Sequence, residues 1–167
     1  TLYAGVTDGG DGYLYGVAYE GGPGYGGTVY RLFPDGTGFQ VLKSFSNDPS
    51  DPGQAGFAPL GSLLAGGDGF LYGTNSYGGS NGHGTIFRIS SDGTVFEVLH
   101  QFDYNLDGAT PRAKLTKGSD GLIYGSTTNG AGAAGTIFRL NPDGTGFQVL
   151  HTFHFSNFAT EGYEPGS

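Results

Sequence analysis

Three blocks of sequence return in the same order at nearly constant spacing, and this constrains the fold more than any other feature. Asp11-Gly-Tyr-Leu-Tyr-Gly16 recurs as Asp68-Gly-Phe-Leu-Tyr-Gly73 and Asp120-Gly-Leu-Ile-Tyr-Gly125, in steps of 57 and 52 residues. Gly27-Thr-Val-Tyr-Arg-Leu32 recurs as Gly84-Thr-Ile-Phe-Arg-Ile89 and Gly135-Thr-Ile-Phe-Arg-Leu140. Asp35-Gly-Thr-Gly-Phe-Gln-Val-Leu42 recurs as Asp92-Gly-Thr-Val-Phe-Glu-Val-Leu99 and Asp143-Gly-Thr-Gly-Phe-Gln-Val-Leu150. Three ordered recurrences make the chain a tandem array, in which each copy is one supersecondary unit.

Each unit reads as four short strands. In the second unit they are expected near Leu60 to Ala65, Phe70 to Thr74, Thr85 to Ser90 and Val95 to Phe102. Asp68-Gly69 and Asp92-Gly93 fall between strands, where tight hairpins need φ > 0. On the fourth strand Phe96, Val98, His100 and Phe102 alternate with Glu97, Leu99 and Gln101, which predicts two distinct faces. The third strand carries large residues on both faces, as a strand between two stacked sheets would. No helical period appears.

A four-stranded unit of about 50 residues suits a β-propeller blade. The predicted fold is therefore all-β: three blades stacked about a common axis, spanning 1–58, 59–110 and 111–167. The alternative is a β-solenoid, whose coils are shorter and lack this antiparallel punctuation. Composition agrees with a folded, turn-rich domain. There are 35 glycines, and aromatics make up 14% of the chain. The net charge is −8, but six of the 15 acids are the Asp of the recurring Asp-Gly turns: Asp11, Asp35, Asp68, Asp92, Asp120 and Asp143. The acidity is mostly turn chemistry, and it argues against nucleic-acid binding, which wants a basic face. The absence of cysteine excludes disulfides and thiolate chemistry. No run approaches the ~20 apolar residues of a membrane helix. The sequence has no methionine, so Thr1 reads as the start of a processed or excerpted chain.

Taken together, Asp-Gly-x-Leu-Tyr-Gly, Gly-Thr-Ile-Phe-Arg-Leu, Asp-Gly-Thr-x-Phe-x-Val-Leu-His-x-Phe and Gly-x-x-Pro (at Gly56, Gly108 and Gly162) resemble the Gloeo/Verruco tandem repeat. The resemblance covers essentially the whole chain. It implies a propeller from a bacterial, exported protein, secreted or at the cell surface, and it brings no catalytic residues. The first copy departs most: it has Lys43 where the others have His100 and His151, and an insertion from Ser46 to Gly56.

Propellers close with 4–8 blades, so three blades imply two open faces and self-association, or further blades in a longer chain. Pro59 and Pro111 each precede a leucine by four residues, Leu63 and Leu115. Reading Pro165 on to Leu2 recreates that spacing, as at a junction between blades. Leu2 lies too far from Asp11, however, which leaves Val6 as the other candidate for the counterpart of Leu63.

Several residues are candidates for chemistry. Asp103-Tyr-Asn105-Leu-Asp107-Gly108 has the spacing of a calcium loop, although Lys114 stands at the twelfth position where Glu is needed. The same pattern fits a plain turn. Asp8 to Asp11 and Asn47 to Asp51 read as solvated acidic loops. His100 and His151 share a register with Lys43, which predicts exposed positions rather than ligands. His151-x-x-His154 would meet at a metal only if the strand ended between them. Arg31, Arg88 and Arg139 recur in every copy. They suit either an anion site or a structural pairing with a turn Asp or an aromatic face. Tyr15, Tyr72 and Tyr124 are expected in the core. Tyr25 and Tyr77, in glycine-rich loops, and Tyr104, in the Asp103 to Gly108 loop, are candidates for stacking on sugar rings.

No nucleophile elbow, phosphate loop or zinc-protease motif is present. The expected function is a non-catalytic interaction or self-assembly module with no cofactor. A carbohydrate-binding propeller is the alternative. An enzyme centred on the channel is a third reading with no motif behind it.

Overall fold

A computed structural model describes residues 1–48, 55–130 and 134–154. It contains three antiparallel sheets, one per repeat. The first is β1 (Thr7–Asp8), β2 (Leu14–Ala18), β3 (Tyr25–Leu32) and β4 (Gln40–Ser46), in that order. The second is β5 (Leu64–Ala65), β6 (Phe70–Asn75), β7 (Thr85–Ser90) and β8 (Phe96–Gln101). The third is β10 (Thr116–Lys117), β11 (Ile123–Asn129), β12 (Gly135–Leu140) and β13 (Gln148–Phe153), with β9 (Ala109–Pro111) added against β11. Among the described residues there is no helix. These are blades of a β-propeller. A solenoid would pair its coils in parallel, whereas every ladder between the named strands is antiparallel.

The Asp-Gly pairs set the hairpins. In each blade the first Asp accepts the amide of the residue two ahead and the hydroxyl of the Tyr four ahead. Asp11 holds Tyr15 at 2.6 Å, Asp68 holds Tyr72 at 2.6 Å, and Asp120 holds Tyr124 at 2.7 Å. The second Asp (Asp35, Asp92 or Asp143) accepts both the amide and the hydroxyl of a Thr two residues on. Each following glycine has a left-handed φ, such as 86° at Gly69.

Two expectations need correction. The first strand of the second blade is only Leu64–Ala65. Gly61, further upstream, lies against the next blade instead: a Cβ there would sit 2.7 Å from the carbonyl oxygen of Ala113. The Leu63 carbonyl accepts from Thr7 Oγ1 of the first blade. The fourth strand also fails to alternate throughout. Its pairing with β7 skips a residue, Phe87 opposite Val98 and Ile86 opposite His100, so Leu99 is the extra residue of a β-bulge. The phase inverts there. Phe96 and Val98 pack toward the first blade, whereas Leu99 and Phe102 pack toward the third. The same bulge recurs at Leu42 and Leu150.

Register also identifies the counterpart of Leu63. Thr7 faces Tyr15 as Leu64 faces Tyr72 and Thr116 faces Tyr124. Val6 therefore matches Leu63 and Leu115, and Leu2 does not. Pro165 lies outside the described residues, as does most of the first-copy insertion.

The core is two layers between successive blades. Tyr15, Val17, Val29 and Phe45 meet Leu63, Leu71, Phe87 and Ile89 in the first layer. Tyr72, Ile86 and Phe102 meet Leu115, Ile123, Phe138 and Leu140 in the second. The Gly-x-x-Pro linkers stitch across the blades: Ala58 donates its amide to Gly26 and accepts from the amide of Ser76. The boundary expected between residues 110 and 111 falls inside β9, which pairs with the blade that follows it.

Candidate functional site

The same three contacts cross both seams between blades. The first is an arginine clamp. Arg31 on β3 donates from Nε to Gln40 on β4, lies 4.3 Å over the Tyr13 ring, and sends Nη1 to the Ser91 carbonyl of the next blade at 2.8 Å. Arg88 repeats this with Glu97, Phe70 and the Pro142 carbonyl at 3.0 Å. The second contact seats the bulge leucine on a turn glycine of the next blade. A Cβ added at Gly93 would lie 3.1 Å from Leu42, and one at Gly144 would lie 2.9 Å from the Leu99 carbonyl oxygen. In the third, a cation or imidazole covers a phenylalanine. Lys43 Nζ sits 4.7 Å over Phe96, and His100 stacks on Phe147 with centroids 3.6 Å apart. Phe45 and Phe102 complete these clusters beside Phe96 and Phe147.

The outermost faces carry the unmatched halves of these seams. On the first blade Val6 is 52% exposed, although its counterpart Leu63 is fully buried, and Phe39 and Val41 stand open beside Tyr30. Gly36 would accept a Cβ with nothing within 4 Å, unlike Gly93 and Gly144. On the third blade Ile137 is 37% exposed where Val29 and Ile86 are fully buried, and Leu150 is exposed where Leu42 and Leu99 are half-buried. Arg139 holds Gln148 through Nε and Nη2. Two apolar patches thus lie at opposite ends of the stack of sheets.

The structure places the other candidates apart from one another. Arg31 and Arg88 bridge strands and seams, and Arg139 bridges β12 to β13. Tyr25 is 76% exposed with φ 55°, at the position that Gly82 holds in the second blade. Tyr77 lies against Phe57 and accepts a hydrogen bond from Arg112. These two rings help line a cleft of about 520 Å³ together with Ser46, Asn47 and Ser80. Tyr104 packs near His83.

Within the proposed calcium loop, Asp103 accepts the Asn105 amide. Asp107 accepts the Asp103 amide through Oδ1 and pairs with His100 Nε2 at 2.9 Å through Oδ2. The carboxylates thus close the turn on itself. Among the described residues no three His, Asp or Glu side chains converge as a metal cluster would require. His100 is not the exposed side chain that its register with Lys43 predicts: it is half-buried between Asp107 and Phe147. A seam position tolerates Lys because an aromatic face receives a cation as readily as an imidazole. His151 lies edge-on to Phe153. The Asn47 to Asp51 loop lies largely outside the described residues.

The seam phenylalanines Phe39, Phe96 and Phe147 were not singled out from sequence. The signal available for them was their invariant place four residues after the second Asp of each unit.

Residues 1–167 match the Gloeobacter/Verrucomicrobia repeat model, and the chain belongs to that family. No curated protein matches the sequence. Among solved structures, a nidogen/laminin complex superposes with a TM-score of 0.56 at 19% identity, over 85% of this chain and 44% of that one. A putative TolB from Agrobacterium tumefaciens gives 0.57 at 12% identity, over 90% and 48%. A PL25 ulvan lyase, solved with a bound glucuronate–sulfated rhamnose unit, gives 0.57 at 17% identity, over 86% and 36%. At these identities the likeness is one of fold. The chain spans less than half the length of each of these structures.

Proposed function

We propose that this member of the Gloeobacter/Verrucomicrobia repeat family is a non-catalytic, ring-building module whose two outer faces take up further blades of the same repeat. One observation carries the reading. The residues exposed on the outer faces hold the positions that bury one another at both internal seams. By analogy with the family's exported bacterial setting, the ring works at the cell surface or outside it.

A chain with two copies of the sequence in tandem tests this, because the linkage presents one copy's faces to the other at high effective concentration. Tandem chains are expected to unfold several degrees higher than the single copy and to bind less hydrophobic dye per copy. Unchanged melting and dye binding would refute the reading.

A second reading rests on the cleft beside Phe57 and Tyr77. Two aromatic faces next to the Asn47 amide and the Ser46 and Ser80 hydroxyls suit a sugar ring, which presents one apolar face and a polar rim. A glycan array repeated with Tyr77→Ala decides it: signal lost in the variant supports a carbohydrate site, and no signal from the parent chain removes it.

A further inference from the structure

We propose that the occupant of the outer faces is a second copy of this chain, docked head to tail, so that two copies close one six-bladed ring. The inference rests on the ring-building reading and names its partner. Three blades and three blades make six, inside the range of closed propellers, whereas three copies would exceed it.

The argument is continuity with the internal seams, residue by residue. At each internal seam an arginine reaches the carbonyl just before the second Asp-Gly turn of the next blade, at Ser91 and then at Pro142. The equivalent carbonyl on the first blade is that of Pro34, so Arg139 of one copy reaches Pro34 of the other. Leu42 and Leu99 seat on Gly93 and Gly144. Leu150, exposed, then seats on the open Gly36 of the other copy. Lys43 and His100 cover Phe96 and Phe147. His151 in turn covers Phe39, itself 63% exposed. Phe153 and Ile137 then meet Tyr30 and Val41 as Phe102 and Ile86 meet the aromatic cluster of the third blade.

Each face is half of a contact that this chain makes twice internally. Within one copy the two halves lie at opposite ends of the stack. The contact is heterologous, since the last blade of one copy meets the first blade of the other. It closes rather than propagates when two copies are related by a half-turn.

Two point variants give each chain one disabled face: Phe39→Asp on the first blade and Leu150→Asp on the third. Both positions are exposed, and circular dichroism verifies that both variants fold. Native mass spectrometry and sedimentation at micromolar concentration are expected to give two-chain species for the parent chain. Each variant alone should weaken association at least tenfold. An equimolar mixture should recover a one-to-one heterodimer, because the intact third blade of Phe39→Asp fits the intact first blade of Leu150→Asp. Recovery on mixing is specific to head-to-tail docking.

A parent chain that stays monomeric while the tandem chain closes would overturn the second-copy assignment and leave the ring-building reading standing. Failure of both would remove both. Dimers that persist undiminished in either single variant would place the contact elsewhere and overturn the proposal, as would open-ended polymers of the parent chain.

Discussion

The imidazole of His100 lies flat on the ring of Phe147, with centroids 3.6 Å apart and planes within 4° of parallel. The pair joins the outermost strand of one blade to the residue just before the outermost strand of the next, and Phe102 and Phe138 pack around Phe147. Truncating Phe147 to Ala removes a ring from a filled seam, so the expected loss is about 3 kcal/mol. Phe39 is the same residue at the same repeat position on an open face. Phe39→Ala should cost under about 0.5 kcal/mol in the dilute, unassociated chain. Urea unfolding of both variants at submicromolar concentration checks the contrast, and equal losses would show that Phe39 is already covered within one copy.

Arg88 does three things with one guanidinium: it pairs with Glu97, stacks on Phe70 and donates to the Pro142 carbonyl. The ion pair alone is partly exposed and contributes little. Most of the effect lies in the planar fork, which lysine cannot reproduce. Arg88→Lys should therefore destabilise by about 1–2 kcal/mol. Arg139→Lys, which gives up only bonds to Gln148 within one copy, should cost less than half of that. Paired chemical denaturation curves at low protein concentration measure the difference.

The turns were legible in the sequence because an Asp-Gly hairpin is specified locally: the side chain that accepts Tyr13, Phe70 or Leu122 sits two residues away. The blade count and strand order followed from the repeat. The bulge at Leu42, Leu99 and Leu150 was not legible, because Val95 to Phe102 keeps its period-two pattern of residue types while the backbone phase inverts. Only the pairing partner reveals the inversion. For the same reason, a recurring Arg could not be told from an anion site until Nη1 was seen to reach a carbonyl 54 or more residues away. Phe39, Phe96 and Phe147 are alike in sequence and differ only in whether a preceding blade covers them.

Tyr72 and Asp68 couple stability to both ends of the pH scale. Burial and then the hydrogen bond to Asp68 push the Tyr72 hydroxyl up to about 12. Burial on its own would raise the Asp68 carboxyl. The bonds from Tyr72 and the Phe70 amide, with Lys117 nearby, outweigh it and hold the group below the ordinary value of 3.8. A raised Tyr pKa means that the contribution of Tyr72 is complete below pH 10 and fades as pH climbs toward about 12. A lowered Asp pKa means that the contribution of Asp68 is complete well above 3.8 and fades as pH falls through its lower folded value. Tyr72→Phe removes the shared bond, so it should cost about 1–2 kcal/mol at neutral pH. The gap from the parent chain should narrow at both extremes. A constant gap from pH 2 to pH 12 would show that the bond is not what couples them.

Asp107 decides between a turn and an ion site. Its two oxygens accept the Asp103 amide and meet His100, so its removal leaves two half-buried groups without a partner. Asp107→Ala should cost about 1–3 kcal/mol, which is several degrees of melting temperature for a chain of this size. If the carboxylate serves the turn, that loss is the same in EDTA and in millimolar calcium. If it serves an ion, calcium raises the melting temperature of the parent chain and leaves the variant where it was. Asp103→Asn sharpens the result. An amide oxygen can still accept the Asn105 amide at the turn, so a turn role predicts a small change, whereas a calcium role predicts a clear loss of affinity from the missing charge. Thermal melts of the three proteins, with and without calcium, separate the two roles.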